Sequence, residues 1–554
     1  MSTQTTDTGR TDSGTDFDAV VVGAGFSGLR MLIELRRLGL SAVAVEAGTD
    51  VGGTWYWNRY PGARTDSESW SYCFSSFPEL LEEWTWKERY PKQQEVLDYQ
   101  RFVADKFDLR KNIRFSTRVE SASYDARSNT WSVRTDTGDT LRCTYFITGL
   151  GHLSVPHKPQ FAGIDSFAGE VYVTGNWPKE PVDFAGKRVG VIGAGASAVQ
   201  AIPVIAEEAA HLTVFQRTPN FVVPAQNHPL SEEQVAQIKA DYPAIWQKAQ
   251  SHVFGFPMSP AGRVYDDVTD EEREQVFEQG WRDGGFHYVF ETFDDILIDQ
   301  RSNDAASEFI RGKIRETVKD PVTAELLCPK GYPYVAKRPP AGHGYYETYN
   351  RDDVTLVDVL SDPIAEIVPG GVRTASGAEH QVDVLVFATG FDAVTGALEK
   401  IDIAGVDGRR LTDEWREGPQ TYLGISNPGF PNLLFICGPQ SAYANIPVVV
   451  EKVVWTLGQA LERMGEQGLD RIEATPEAAA AWKAHLDEVL HMTLIPQGEK
   501  VGSWYLGANI PGKPRSPLFY FGGAGAYAQW LDGVVAKDFD GFVLSSSAEP
   551  AQVG

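Results

Sequence analysis

The sequence predicts an α/β chain built on two parallel-sheet units of like design, with a helical insertion in the second. Three observations carry this. A short apolar strand over residues 18–22 runs into Gly23-Ala24-Gly25-Phe26-Ser27-Gly28, then a helical repeat through Leu32, Leu35 and Leu38, then a second strand at Ala42–Val45. The same order returns 170 positions on, from Gly23 to Gly193: strand Arg188–Ile192, Gly193-Ala194-Gly195-Ala196-Ser197-Ala198, a helix through Val199, Ile202 and Ile205, and a strand over 212–215. Between Pro224 and Pro329 the chain turns charged and helix-forming, with capping-box starts at Ser231…Gln234 and Thr269…Glu272.

Strand, glycine-rich turn, helix, strand is the Rossmann-like order, so each unit is a candidate dinucleotide-binding domain. At 554 residues the chain exceeds one core, since single cores stop growing near about 250–300 residues. The β pattern resumes after Arg351. Residues 383–387 read as a buried strand entering a small-residue turn, a late helix is expected from Pro476 to Met492, and 504–515 read as a loop broken by Gly507, Pro511, Gly512 and Pro514.

Composition narrows the partners. A formal charge of −25 repels phosphate backbones and anionic lipid surfaces, so neither nucleic acid nor a membrane is an expected partner. There is no apolar run long enough to span a bilayer and no secretory h-region near the start. Cys73, Cys143, Cys328 and Cys437 lie far apart, with no CxxC pair and no histidine cluster at metal spacing. A reduced, cytoplasmic, metal-free protein is expected.

The two turns differ in what they prefer. In the first, Gly23 allows the tight turn, Gly25 lets backbone approach a pyrophosphate, and Gly28 lets helix and strand pack closely. Glu46, 18 residues past Gly28, ends the next strand, where a carboxylate accepts hydrogen bonds from ribose hydroxyls. FAD or NAD fits there. In the second, Ala198 replaces the last glycine, and the same offset falls on Gln216, followed by Arg217 and Thr218. A guanidinium forks onto a 2′-phosphate, which a carboxylate would repel, so this turn suits NADP(H). A chain holding both delivers hydride to a flavin. With no paired cysteines to pass electrons on, oxygen chemistry is the favoured branch.

Four segments resemble the type I Baeyer–Villiger monooxygenases. Gly52-Gly53-Thr54-Trp55, continuing through Tyr60-Pro61-Gly62 to Asp66, matches [AG]GxWxxxx[FY]P[GM]xxxD at every fixed position. Residues 167–178 match FxGxxxHxxxW[PD] through Phe167, Gly169, Trp177 and Pro178, with Val173 where the pattern has histidine. Lys337-Arg338, before Gly344-Tyr345-Tyr346, resembles the family's active-site arginine segment, and 509–515 its mobile loop over NADP, with Trp504 near its start.

The resemblance covers about residues 18–543. The Ser-, Thr-, Asp- and Gly-rich composition of residues 1–16 predicts a disordered N-terminus and the charged helical pattern a subdomain at 224–331; the resemblance implies an FAD domain from 17–152 and 382–548 and an NADP domain from 153–223 and 332–381. It implies an NADPH- and O2-dependent conversion of a ketone, by the look of residues 344–352 and 438–447 a cyclic one, to an ester or lactone through a C4a-peroxyflavin. Arg338 would be the fixed cation for the peroxide and the oxyanion, oriented by Asp66. Ser27, Thr54, Trp55, Tyr56, Trp57, Tyr72 and Val119 would join Gly23, Gly25, Gly28, Glu46 and Asp66 around FAD. Arg64, Lys337 and Trp504 would join Gly193, Gly195, Ala196, Ser197, Ala198, Arg217 and Thr218 around NADP(H). His152 reads as a hydrogen-bonded core histidine, Cys437 as buried packing, and 439–447 as a wall of the ketone site. A monomer or weak homo-oligomer is expected. The alternative chemistry is N- or S-oxygenation, and a flavin-binding regulator is the non-enzymatic rival.

Overall fold

A computed structural model describes residues 15–547. The disordered N-terminal segment expected at 1–16 lies outside the described residues except at its end. There Asp16 is paired: its N–H donates to the Arg142 carbonyl and its carboxylate accepts from the Arg142 N–H, both at 2.9 Å.

The first glycine-rich unit is β1 (Phe17–Val22), α1 (Phe26–Arg37) and β2 (Ala42–Val45). β1 runs parallel to β2 on one side and to strand Thr140–Thr148 on the other. Ala19, Val20 and Val21 are fully buried because both faces of a central parallel strand are covered. Thr140–Thr148 continues antiparallel into Thr130–Thr135 and Val119–Asp125. Strands from the far end of the chain complete this eight-stranded sheet, Asp402–Ala404 beside Val119–Asp125 and Leu433–Phe435 beside Thr140–Thr148. Helices Ile446–Gln467 and Ala524–Ala536 pack in the same core as Leu29, Leu32 and Leu35 of α1. The late helix forms as Pro476–His491.

The second unit is β3 (Arg188–Ile192), α2 (Ala196–Glu208) and β4 (His211–Gln216), in a five-stranded all-parallel sheet. One boundary needs correction. Strand Val384–Phe387, expected in the first domain from residue 382 on, lies here between β3 and Glu170–Val173. An apolar run of this kind suits the middle of either sheet; the register Val384↔Val189 to Phe387↔Ile192 decides it. The chain returns to the first unit only after Phe387.

The insertion forms helices Glu232–Ser251, Asp270–Asp283, Gln300–Thr317 and Pro321–Leu327, and both expected capping boxes close. Each cap contributes about 1 kcal/mol by satisfying orphan N–H groups. The insertion is not confined to the second unit. Tyr242, Trp246 and Ala249 bury into the first unit's core, whereas Phe277, Tyr288 and Ile310 bury into the second's. It straddles the seam between the two. Among the described residues no helix is long and apolar enough to cross a membrane, and no group of ligating side chains could hold a metal. The four cysteines are buried and unpaired.

Candidate functional site

The first turn is closed by backbone. A Cβ on Gly23 would stand 2.7 Å from the Gly149 carbonyl oxygen, and one on Gly28 would stand 1.9 Å from that of Gly23. Gly25 faces Gly53 across the Gly52-Gly53 turn, where a Cβ would come 3.2 Å from the Gly53 Cα. No side chain caps α1 at Gly25, so its first N–H groups remain available to an anion. Glu46 braces the turn. One carboxylate oxygen accepts from the Ala24 N–H at 2.8 Å, the other from the Gly48 N–H at 2.6 Å. Burial pushes this carboxyl up, against those two bonds and Arg118.

The aromatic wall divides. Trp55 meets Tyr72 edge to face at 5.6 Å, and Tyr72 meets Phe26 at 5.4 Å, so these two reach the head of α1 beside the buried Ser27. Burial pushes the Tyr72 phenol up to about 12. Tyr56 turns elsewhere: its hydroxyl lies 3.0 Å from both the Thr49 N–H and Oγ1, its ring packs on Trp57, and the Lys179 ammonium sits 5.3 Å from it. Thr54 opens the short helix Thr54–Trp57, and its carbonyl accepts from the Asn58 N–H. Val119 starts its strand next to Arg118, at the Glu46 end.

The second turn is open by comparison. Gly193 (φ +135°) is pressed on Ala388, whose carbonyl oxygen a Cβ would meet at 2.3 Å, but a Cβ on Gly195 would meet nothing within 4 Å. No side chain caps α2. Ala196 and Ser197 are half-buried, and Ala198 is fully buried with a Cβ where the first turn admits none. At the end of β4, Gln216 turns its amide N–H to the Leu326 carbonyl at 2.8 Å, leaving Oε1 buried without a partner. Arg217 is exposed, Thr218 and Lys337 are half-buried, and among the described residues neither cation has an ion-pair partner. Burial, then the Arg217 charge, pushes the Lys337 ammonium down to about 8. Two like charges converging without a carboxylate suit a dianionic phosphate.

Arg338 and Asp66 meet between the two turns. The guanidinium donates to Asp66 Oδ2 at 2.6 Å, with Asp66 only 2% exposed and Arg338 27%. Burial opposes the Arg338 charge, but Asp66, Tyr443 and Tyr505 lift it well above the ordinary arginine range, so it stays a cation. The Asn220 amide donates to the Arg338 carbonyl at 2.9 Å, and the Phe286 ring lies 5.7 Å from the guanidinium. Val335, three residues earlier, is buried and takes φ +73°, a strained conformation for a β-branched residue. Arg64 pairs with Glu88 at 3.5 Å, and burial pulls its guanidinium down.

Tyr443 brings the 439–447 segment to Arg338, and its hydroxyl receives the Tyr505 hydroxyl at 3.0 Å. Trp504 packs on Tyr443 and Phe519. The segment 504–515 opens with a 3₁₀ turn at Trp504–Leu506 and is docked: Asn509 donates to the Phe391 carbonyl at 2.7 Å and Lys513 is paired with Asp392. His152 lies 2.8 Å from the Cys437 carbonyl, and burial holds it neutral, down to about 4. Trp177 packs between Tyr172 and Phe184. Val173 lies against an apolar cluster with Ile192, Phe215 and Phe387. Phe286, Asn220 and Gln200 carry no motif in the sequence, because their roles arise only from contacts across more than 50 positions.

Comparison with known proteins agrees with this layout. A family profile described as pyridine nucleotide-disulphide oxidoreductase matches residues 20–248, which span both glycine-rich turns. The chain is 46% identical over 538 residues to a Baeyer-Villiger monooxygenase of Pseudooceanicola batsensis, covering 97% of this chain and 98% of the relative. It is 43% identical over 534 residues to the phenazine N-monooxygenase PhzNO1 of Lysobacter antibioticus, covering 96% and 98%. The crystal structure of cyclohexanone monooxygenase from Rhodococcus sp. Phi1 bound to NADP+ superposes with a TM-score of 0.93 at 43% identity, covering 96% of this chain and 99% of that one.

Proposed function

The chain belongs to the Baeyer–Villiger monooxygenase family, and on that premise we propose the roles its residues play. It is an FAD- and NADPH-dependent monooxygenase that converts a ketone to an ester or lactone. FAD, when bound and reduced by NADPH, would activate O2 for insertion of one oxygen atom, the other leaving as water; the chain's own side chains bind, orient and stabilise charge.

Arg338 holds a permanent cation at the seam of the two units, where negative charge develops on the substrate oxygen once the carbonyl is attacked. In a site walled by Tyr443, Tyr505 and Phe286 that charge is screened little by water. Asp66 aims the guanidinium and balances its charge when no anion is present. Arg217 and Lys337 grip the 2′-phosphate, with Thr218 beside them. Glu46 takes the flavin-side ribose, Trp55 and Tyr72 wall the flavin, and Trp504 closes over the cofactor. We assign a cyclic ketone as substrate, a cytoplasmic location, and a monomer or weak homo-oligomer as the working state.

The observation that carries this reading is the pairing at 2.6 Å, between the two turns, of the half-buried Arg338 guanidinium with the buried Asp66 carboxylate. Oxygen transfer to a nitrogen, as the name of the Lysobacter relative describes, creates no alkoxide at a carbonyl carbon and makes no such demand for a cation. The test is a panel of cyclic, linear and aryl ketones with a phenazine and a thioether, measuring product and NADPH consumed together. Ester or lactone from a ketone is expected, reduced about 1,000-fold in Arg338→Ala. Ester formation that survives this substitution, or product from the phenazine or thioether alone, overturns it.

A further inference from the structure

The Tyr60-Pro61-Gly62 turn presses against α2, the helix that follows the second glycine-rich turn. Gly62 sits at φ +77°, and a Cβ there would come 2.2 Å from the Gln200 carbonyl oxygen, so in this chain any side chain at position 62 would force turn and helix apart. This close approach lets the Gln200 side chain, itself buried, reach across the seam. Its Oε1 accepts from the Tyr60 hydroxyl at 2.8 Å. Its Nε2 donates to the Arg64 carbonyl at 3.0 Å and to Asp66 Oδ1 at 3.3 Å. The amide orientation is therefore determined, with oxygen toward a hydroxyl and nitrogen toward two acceptors. Asp66 spends its other oxygen, Oδ2, on Arg338.

We propose that Gln200 is a positioning residue, which holds the Asp66 carboxylate in register for Arg338 and ties that pair to the helix whose N-terminus forms the NADP(H) turn. The inference rests on the role given to Arg338 and Asp66 above. A carboxylate fixed through one oxygen swings about a broad terminal torsion; a second contact on the other oxygen removes that freedom. The bond at 3.3 Å is modest in strength, and its effect is directional. Because Gln200 projects from a rigid helix, a dinucleotide that steadies the head of α2 also steadies Asp66. A buried amide that only struts two domains together would instead support folding and NADP(H) binding alike.

The FAD-loaded full chain separates these roles. In Gln200→Leu, NADP+ affinity by calorimetry and Tm are expected to stay near the parent's. kcat for ester formation with the best ketone of the panel falls about 10- to 100-fold, and more NADPH is consumed per ester formed. Gln200→Glu keeps an acceptor for Tyr60 but turns a second carboxylate toward Asp66, and loses at least as much. Tyr60→Phe loses less. Parent-like kcat in Gln200→Leu, or a kcat loss matched by an equal loss of NADP+ affinity and of Tm, overturns the proposal. If Gln200→Leu does not retain flavin, the near-isosteric Gln200→Glu and Tyr60→Phe decide, and parent-like kcat in both overturns it. Arg338→Ala is the control. If it still forms ester, the site reading falls and this inference with it; if it is inactive while the Gln200 variants behave as the parent, only Gln200 loses its role.

Discussion

The two glycine-rich turns share one backbone plan and differ in how tightly they close. In the first, helix α1 sits so near its own turn that Gly28 has no room for a Cβ, and Glu46 bonds two backbone N–H groups around it. In the second, Ala198 carries a Cβ at the matching place, Gln216 turns away toward Leu326, and among the described residues Arg217 and Lys337 have no acidic partner. A turn sealed by backbone and carboxylate suits a cofactor that stays bound; one left open with unpaired cations suits a phosphate that comes and goes. The difference lies in two or three side chains at the strand end, not in the strand–turn–helix itself.

Breaking the contrast at its strongest point means adding a methyl group to the sealed turn. Gly28→Ala drives a Cβ into the Gly23 carbonyl, and is expected to cost about 3 kcal/mol and to yield chain without bound flavin, read by absorbance and Tm. Ala198→Gly in the open turn is expected to cost only about 0.5–1 kcal/mol and to leave NADP+ binding in place. Equal losses in the two variants would end the comparison. Strand-end charge comes next. Arg217→Ala is expected to weaken preference for NADPH over NADH about 10- to 100-fold, and Gln216→Glu to push the same way by repelling the 2′-phosphate, measured as the ratio of kcat/KM values. Unchanged preference in both would remove the assignment of this turn. The smallest effect is in pH. Lys337, pushed down to about 8, is charged below that pH and neutral above it. KM for NADPH should therefore rise about two- to five-fold from pH 7 to pH 9, while KM for NADH, which lacks the 2′-phosphate, stays level.

Lys337 shows why a motif needs its surroundings. Its neighbour Arg338 is the same kind of residue in sequence, yet one is pulled down by burial and by Arg217 while the other is lifted by Asp66 against its burial. Neither environment is local: Asp66 lies 272 positions from Arg338. The tyrosines that wall Arg338 come from two further segments, one of them beside Trp504. Strand Val384–Phe387 teaches the same lesson at the level of fold. Its apolar run announces a buried strand, and only pairing with β3 assigns it to the second sheet.

The sequence alone determined both strand–turn–helix–strand units and the capping boxes of the insertion, and it put unlike side chains, Glu46 and Gln216-Arg217, at the two strand ends. These follow from periodicity, backbone freedom at glycine and the charge of one side chain, all of which act over a few residues. The tertiary structure decided which sheet Val384–Phe387 joins, that the insertion straddles both cores, and that Tyr60, Gln200, Asp66 and Arg338 form one connected set. Those outcomes depend on which distant surfaces close on each other. Hydrogen bonds and desolvated charges in a core acquire direction and strength only after that closure.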